Sequence, residues 1–140
     1  AHTDDGLRNI LTTIREFAPK KIITVFGCGG DRDKTKRPVM GGVVSELSDF
    51  CFITSDNPRT EDPSLIIAEI YAGVSESKKN YAICETDRKT AIFEAIKFAD
   101  AGDIVVIAGK GAEKYQDVMG IKQPYNDEKY VMELIEKGRI

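Results

Sequence analysis

The sequence has 140 residues, 41% apolar and 31% charged, and its 20 Lys and Arg against 23 Asp and Glu leave a net charge of −3. That balance supports one hydrophobic core and excludes a disordered chain, and the lack of a basic excess argues against nucleic acid as a partner. The longest run without a charged residue, Ile22 to Gly30, is nine residues, well short of the roughly 18 to 20 that cross a bilayer, so neither a membrane span nor a signal peptide is expected.

Leu7, Ile10, Leu11, Ile14 and Phe17 recur at helical spacing behind Thr3, Asp4 and Asp5, which suit a helix cap and its positive end. The β-branched run Ile22 to Phe26, closed by glycines, predicts a strand buried on both faces. A helix is expected from Pro38 with Val39, Val43, Val44 and Leu47 inward, then a strand over Cys51 to Thr54. Asp62 and Pro63 read as cap and first position of a helix burying Leu65, Ile66, Ile70 and Val74. Tyr81 to Cys84 gives a third strand, Asp87 caps a helix through Ala91, Ile92, Ala95, Ile96 and Ala99, and Ile104 to Ile107 gives a fourth strand. Crossovers of this length predict a doubly wound α/β fold with a mostly parallel, Rossmann-like sheet. Beyond Gly111 the pattern changes: Tyr115 to Met119 and Ile121 to Pro124 around Gly120 suggest a C-terminal β-hairpin, before a last helix carrying Tyr130, Val131, Leu134 and Ile135.

Cys28, Cys51 and Cys84 are 23 and 33 residues apart with His2 as the sole histidine, which disfavours structural zinc and a disulfide framework and fits a reducing cytoplasm. Cys51 and Cys84 lie in apolar runs and read as small buried hydrophobes. Cys28, near Arg32, is either activated by that charge or simply packed.

In sheets of this class ligands bind beyond the carboxyl ends of the strands, which directs attention to the strand-to-helix loops. Neither G-x-G-x-x-G nor a Walker A loop is present: Arg32 stands where the last glycine of the former would fall, and Asp33 precedes Lys34-Thr35. The loop instead carries Arg32, Lys34, Lys36 and Arg37 against Asp31 and Asp33, a set that can receive an anion or form a solvated charge run after a tight turn. Asp56-Asn57-Pro58-Arg59 presents a carboxylate, an amide and a guanidinium on a proline-restrained loop. It suits a zwitterion, and it also reads as an Asn-Pro turn leading into the cap at Asp62. Gly109-Lys110-Gly111 permits close backbone approach, and Glu113 adds a second carboxylate; the alternative leaves Lys110 and Glu113 solvated. Two arginines and two carboxylates from three loops on one sheet edge resemble a receptor for an amino acid.

Three stretches in order, Phe26 to Pro38, Asp56 to Glu61 and Ala108 to Glu113, together with the opening Ala1 to Gly6, resemble the Mur ligase family, specifically its branch that extends the muramoyl dipeptide. The resemblance covers the whole chain, 1–140, as the C-terminal domain of a three-domain enzyme, with a strand expected before Ala1. It implies an ATP- and magnesium-dependent ligase of peptidoglycan synthesis that joins an amino acid to UDP-N-acetylmuramoyl-L-alanyl-D-glutamate through an acyl phosphate. ATP and magnesium would be bound mainly by the central domain, and the isolated chain would be inactive. In this branch the D-N-P-R motif marks addition of meso-2,6-diaminopimelate. By motif, Arg32, Asp56, Asn57, Pro58, Arg59, Gly109 and Glu113 carry over as its contacts, the arginines on the distal carboxylate and the acids near the ammonium, with His2 and Thr3 nearer the nucleotide. The sequence departs from the family at Ala112, where a histidine is usual, and at Asp4, where a proline is usual. The alternatives are a lysine-adding or other Mur-type ligase, or a non-catalytic α/β module that binds an amino acid or nucleotide.

Overall fold

The computed structural model describes residues 3–110 and 113–138. Helix α1 (Asp4–Arg15) begins at Thr3, whose Oγ1 accepts the Gly6 amide at 3.0 Å. Strand β1 (Ile22–Phe26) is buried along its whole length. There follow α2 (Lys36–Leu47), β2 (Phe50–Ile53), α3 (Pro63–Tyr71), a 3₁₀ turn (Glu76–Tyr81), β3 (Ala82–Cys84), α4 (Arg88–Phe98) and β4 (Ile104–Ile107). The hairpin strands β5 (Tyr115–Val118) and β6 (Ile121–Pro124) precede α5 (Asp127–Glu136).

The four main strands are parallel in the order β3-β2-β1-β4, and β5-β6 form a separate antiparallel pair. The chain steps outward from β1 to β3 through α2 and α3, then returns past β2 and β1 to reach β4. Right-handed crossovers in opposite directions place their helices on opposite faces. Accordingly Leu7, Leu11, Met40, Val44, Ile66 and Ile70 pack with Ile22, Phe26 and Ile53 on one face. Ala91, Ile92 and Ala95 pack with Ile23, Val25 and Phe52 on the other. The expected doubly wound sheet with a C-terminal hairpin is the observed architecture.

Several local expectations are corrected. Helix α2 starts at Lys36, which leaves Pro38 in the first turn, where its missing N–H costs nothing. Strand β2 is shifted by one residue and Tyr81 closes the 3₁₀ turn rather than opening β3. Val39, expected inside, is exposed. Helices α2 and α3 meet backbone to backbone instead: a Cβ on Gly41 would lie 2.0 Å from the Ile70 carbonyl oxygen, which turns Met40, Val43 and Val44 inward and Val39 out. Leu65 and Ile10 flank the buried faces of their helices, Phe17 lies past the end of α1, and all three are exposed. Cys84 is exposed because β3 is a three-residue edge strand.

Candidate functional site

The strand order makes the gap between β1 and β4 the point where successive loops diverge to opposite faces, the place where such sheets open a crevice. A cleft of about 540 Å³ opens there, lined by Gly27 to Gly29, Arg32 and Lys36 after β1, Asp56, Asn57 and Arg59 after β2, and Glu113 and Tyr115 after β4. Among the described residues no group of three His, Cys, Asp or Glu side chains is placed to hold a metal, and no helix is long and apolar enough to cross a membrane.

The first two loops are interlocked. The Gly30 amide donates to the Asn57 carbonyl at 2.7 Å, and Arg59 Nη1 donates to the Gly30 carbonyl at 3.0 Å. Only glycine fits at position 30, since a Cβ there would fall 1.8 Å from the Pro58 carbonyl oxygen. Pro58 is buried in the same seam. Thr60 Oγ1 donates to Asp31 Oδ1 at 2.6 Å, and the Asp31 amide donates to Glu61 Oε2 at 2.5 Å.

The members of the basic run have different surroundings in the structure. Arg37 is 1% exposed and is consumed within the protein: Nη1 donates to Glu69 Oε2 at 2.6 Å, and Nη2 donates to Glu61 Oε2 at 2.7 Å and to the Gly29 carbonyl at 3.1 Å. Lys34 lies 3.6 Å from Glu61 and Lys36 4.0 Å from Asp4. Arg32 remains at the cleft wall, exposed, its Nη1 donating to its neighbour's carbonyl at 3.3 Å.

Hydrogen bonds from Arg37, and then from the Asp31 amide, hold the Glu61 carboxyl down at about 2, against an ordinary 4.5. Because the folded value lies below the unfolded one, this contribution to stability is complete above about 4.5 and disappears as pH falls toward about 2. Glu61→Gln is therefore expected to destabilise the chain at pH 6, with the difference from wild type shrinking steadily below pH 4.5. Urea denaturation across that range checks it, and a constant difference would count against the pairing.

Lys110, which one reading of the sequence leaves solvated, is instead 2% exposed, behind the residues that line the cleft. Its Nζ donates to Asn57 Oδ1 at 2.7 Å and to the Tyr115 carbonyl at 3.2 Å, with Asp56 Oδ1 at 3.0 Å and Glu113 Oε1 at 3.7 Å. The Asp117 amide also donates to Asn57 Oδ1, at 2.9 Å. Two donors on one oxygen fix the amide's orientation, so Nδ2 is the face Asn57 offers, at 3.3 Å from Glu113 Oε1. Gly109 has φ +107°, and a Cβ there would lie 3.1 Å from Asp56 Oδ2. Asp56 and Glu113 thus both face Lys110, Asp56 buried and at the shorter distance, Glu113 more open to solvent at the cleft rim.

Beneath this layer, Arg88 pairs bidentately with Asp127, Nε to Oδ1 at 2.8 Å and Nη2 to Oδ2 at 2.7 Å. Its Nη1 donates to the Ser55 carbonyl and its Nη2 to the Ala108 carbonyl, each at 3.1 Å. Ser55 follows β2 and Ala108 follows β4, so one guanidinium ties together the two strand ends that flank β1. Tyr125 donates its hydroxyl to Asp127 Oδ1 at 2.5 Å; burial and this carboxylate push its ionisation above the ordinary tyrosine range.

Thr3 caps α1 and does not line the cleft, and His2 lies outside the described residues, as does Ala112. Cys28 does line it, but its Sγ donates to Met40 Sδ at 3.4 Å and burial pushes the thiol up to about 12, the opposite of activation by Arg32. Cys51 is likewise pushed up to about 12, by burial first. Alkylation at neutral pH is thus expected to modify Cys84 well before Cys28 or Cys51, as peptide mass spectrometry of a timed reaction would reveal.

The profile of the family described as Mur ligase, glutamate ligase domain, matches residues 1–111. The chain is 52% identical over all 140 residues to the UDP-N-acetylmuramoyl-L-alanyl-D-glutamate–2,6-diaminopimelate ligase of Syntrophomonas wolfei. It is 47% identical over 135 residues, 96% of the chain, to the protein of that name from Aquifex aeolicus. In each case it spans 28% of the relative's length. A solved structure of a ligase of the same name superposes on the whole chain, and on 28% of its own, with a TM-score of 0.92 at 40% identity.

Proposed function

Because the chain belongs to the Mur ligase family, we propose that it is the C-terminal domain of an ATP-dependent ligase that adds meso-2,6-diaminopimelate to UDP-N-acetylmuramoyl-L-alanyl-D-glutamate in the cytoplasm. The observation that carries this reading is the composition of the cleft wall. Arg59 and Arg32 supply guanidinium groups, Asn57 an amide donor and Glu113 a carboxylate, on loops from three strands around a volume that suits a small zwitterion. Arg59 and Arg32 would take the distal carboxylate of diaminopimelate, and Asn57 Nδ2 would add a donor to it. Glu113 would take the distal ammonium, being the more solvent-open of the two acids that face Lys110. Gly109 lets the third loop close over Asp56, and Pro58 stiffens the loop bearing Arg59.

The domain's part in catalysis is then positional. It holds the amino acid so that its other amine meets the acyl phosphate of the muramoyl dipeptide, which converts an encounter between two molecules into one within a complex. ATP and magnesium are proposed to be bound mainly by the central domain of the full enzyme, and His2 and Thr3 to approach the nucleotide.

The test is steady-state kinetics of the full-length protein with ATP, the muramoyl dipeptide and either diaminopimelate or lysine. Diaminopimelate-dependent ADP release supports the assignment; equal or better use of lysine overturns it. In the same assay Glu113→Gln is expected to raise KM for diaminopimelate about 10-fold or more, the cost of weakening a hydrogen bond to a charged group, with KM for ATP within about 2-fold. Equal rises in both would remove Glu113 from the amino-acid site.

A further inference from the structure

The hairpin stands apart from the parallel sheet and beyond residues 1–111 that the family profile matches, yet its first arm grips the loop that carries Arg59. Gln116 Nε2 donates to the Asp56 carbonyl at 2.7 Å and lies 3.4 Å from Ser55 Oγ. The Asp117 amide donates to Asn57 Oδ1 at 2.9 Å. The Arg59 amide donates to the Asp117 carbonyl at 3.0 Å, and the Met119 amide donates to the Arg59 carbonyl at 2.6 Å. Arg59 and Val118 form a parallel bridge, so the loop is in effect a third, one-residue strand of the hairpin.

Arg59 has φ 52°, in the left-handed region that residues with a Cβ seldom occupy. Such a backbone persists where its surroundings over-determine it, and strain of this kind gathers where a side chain must be aimed. Here both polar backbone groups of Arg59 are held by β5 and the turn after it. The side chain is aimed by the backbone that carries it, so whatever places β5 also places the guanidinium.

We propose that β5 is the template for the amino-acid-selecting loop and that Gln116 is its positioning residue. Gln116 does not line the cleft. It acts through the Asp56 carbonyl, at the head of the loop, so that Asn57 and Arg59 arrive with the amide and guanidinium facing the ligand. The proposal rests on the reading of the cleft as an amino-acid site. It adds a determinant of selectivity that touches no substrate.

The test uses the full-length enzyme with Gln116→Met, which keeps the length and removes the donor, and Gln116→Glu, which sets an acceptor against the carbonyl. Gln116 is only half-buried on a hairpin outside the main core, so both variants are expected to fold, which melting curves check. The expected result is a KM for diaminopimelate raised about 10-fold, more for Glu than Met, with kcat within about 3-fold and KM for ATP within about 2-fold. The preference for diaminopimelate over lysine should narrow. An unchanged KM for the amino acid, or parallel rises for amino acid and ATP, overturns the proposal. Hydrogen exchange of the peptide covering residues 55–60 supplies a second readout: faster exchange in Gln116→Met at an unchanged melting temperature is expected, and unchanged exchange overturns the template. If wild type turns over no amino acid yet the loop loosens in the variants, the assigned substrate fails and the template stands.

Discussion

Arg59→Ala in the full-length enzyme is expected to lower kcat/KM for diaminopimelate by roughly 30-fold to several thousand-fold, the equivalent of the about 2 to 5 kcal/mol lost when one partner of a buried, hydrogen-bonded charge pair is removed. The side chain is half-buried and one of its terminal nitrogens is anchored on the Gly30 carbonyl, so the guanidinium reaches the ligand with little freedom left to lose. Lysine lacks the distal carboxylate, and its use should change far less; a slight gain is consistent, because an arginine facing lysine's ammonium repels it. Arg59→Lys should not rescue, as a point charge cannot reproduce the bidentate fork. The measurement is kcat/KM for both amino acids in wild type and variant. If the two fall by one factor, Arg59 supports the loop and does not read the substrate.

The second large effect is on stability. Arg88→Met is expected to cost about 3 to 5 kcal/mol, because it strands the Asp127 carboxylate, only 5% exposed, and leaves the Ser55 and Ala108 carbonyls without their shared donor. The sign of the pairing is testable by a double variant. Arg88→Met with Asp127→Leu removes both charges, and a chain stripped of both partners should be more stable than one left with a buried orphan. Urea unfolding gives both values. A single-variant cost below about 1 kcal/mol, or a double variant no better than the single, would mean that solvent reaches the pair.

The strands and caps were legible because they are local. A β-branched run bounded by glycines announces β1, and Asp62-Pro63 announces α3, whose cap Asp62 accepts the Ser64 amide at 2.9 Å. The motif loops were legible too, since topology alone brings them to one edge. What the sequence concealed was which charges the protein spends on itself. Arg37 looks like Arg32 in the chain, and its difference lies in Glu61 and Glu69, 24 and 32 residues away. Lys110 reads as a loop lysine until Asn57, 53 residues earlier, arrives beside it. Arg88 directly follows a helix cap, a position that usually points to solvent, and is buried only because α5 returns with Asp127. Helix faces were misread where backbone rather than side chains made the contact, as at Gly41. Gln116 carried no signal at all, because hydrogen bonding of a side chain to a distant carbonyl leaves no periodicity.

The left-handed backbone at Arg59 also limits the routes by which descendants of this sequence could acquire another substrate. Residues with a Cβ pay about 1 to 2 kcal/mol in that conformation, β-branched ones more, whereas glycine adopts it freely and asparagine and aspartate tolerate it. An unbranched successor is no more strained than Arg59 already is, a β-branched one is more so, and only glycine, asparagine or aspartate relieves the backbone. Those relieving residues are short and do not span the distance a guanidinium covers, so the substitutions this backbone favours are ones that discard recognition of a far carboxylate. A lineage that takes one of them would have to recruit a new contact elsewhere on the rim, for example at Arg32, whose exposed loop position imposes no such restriction.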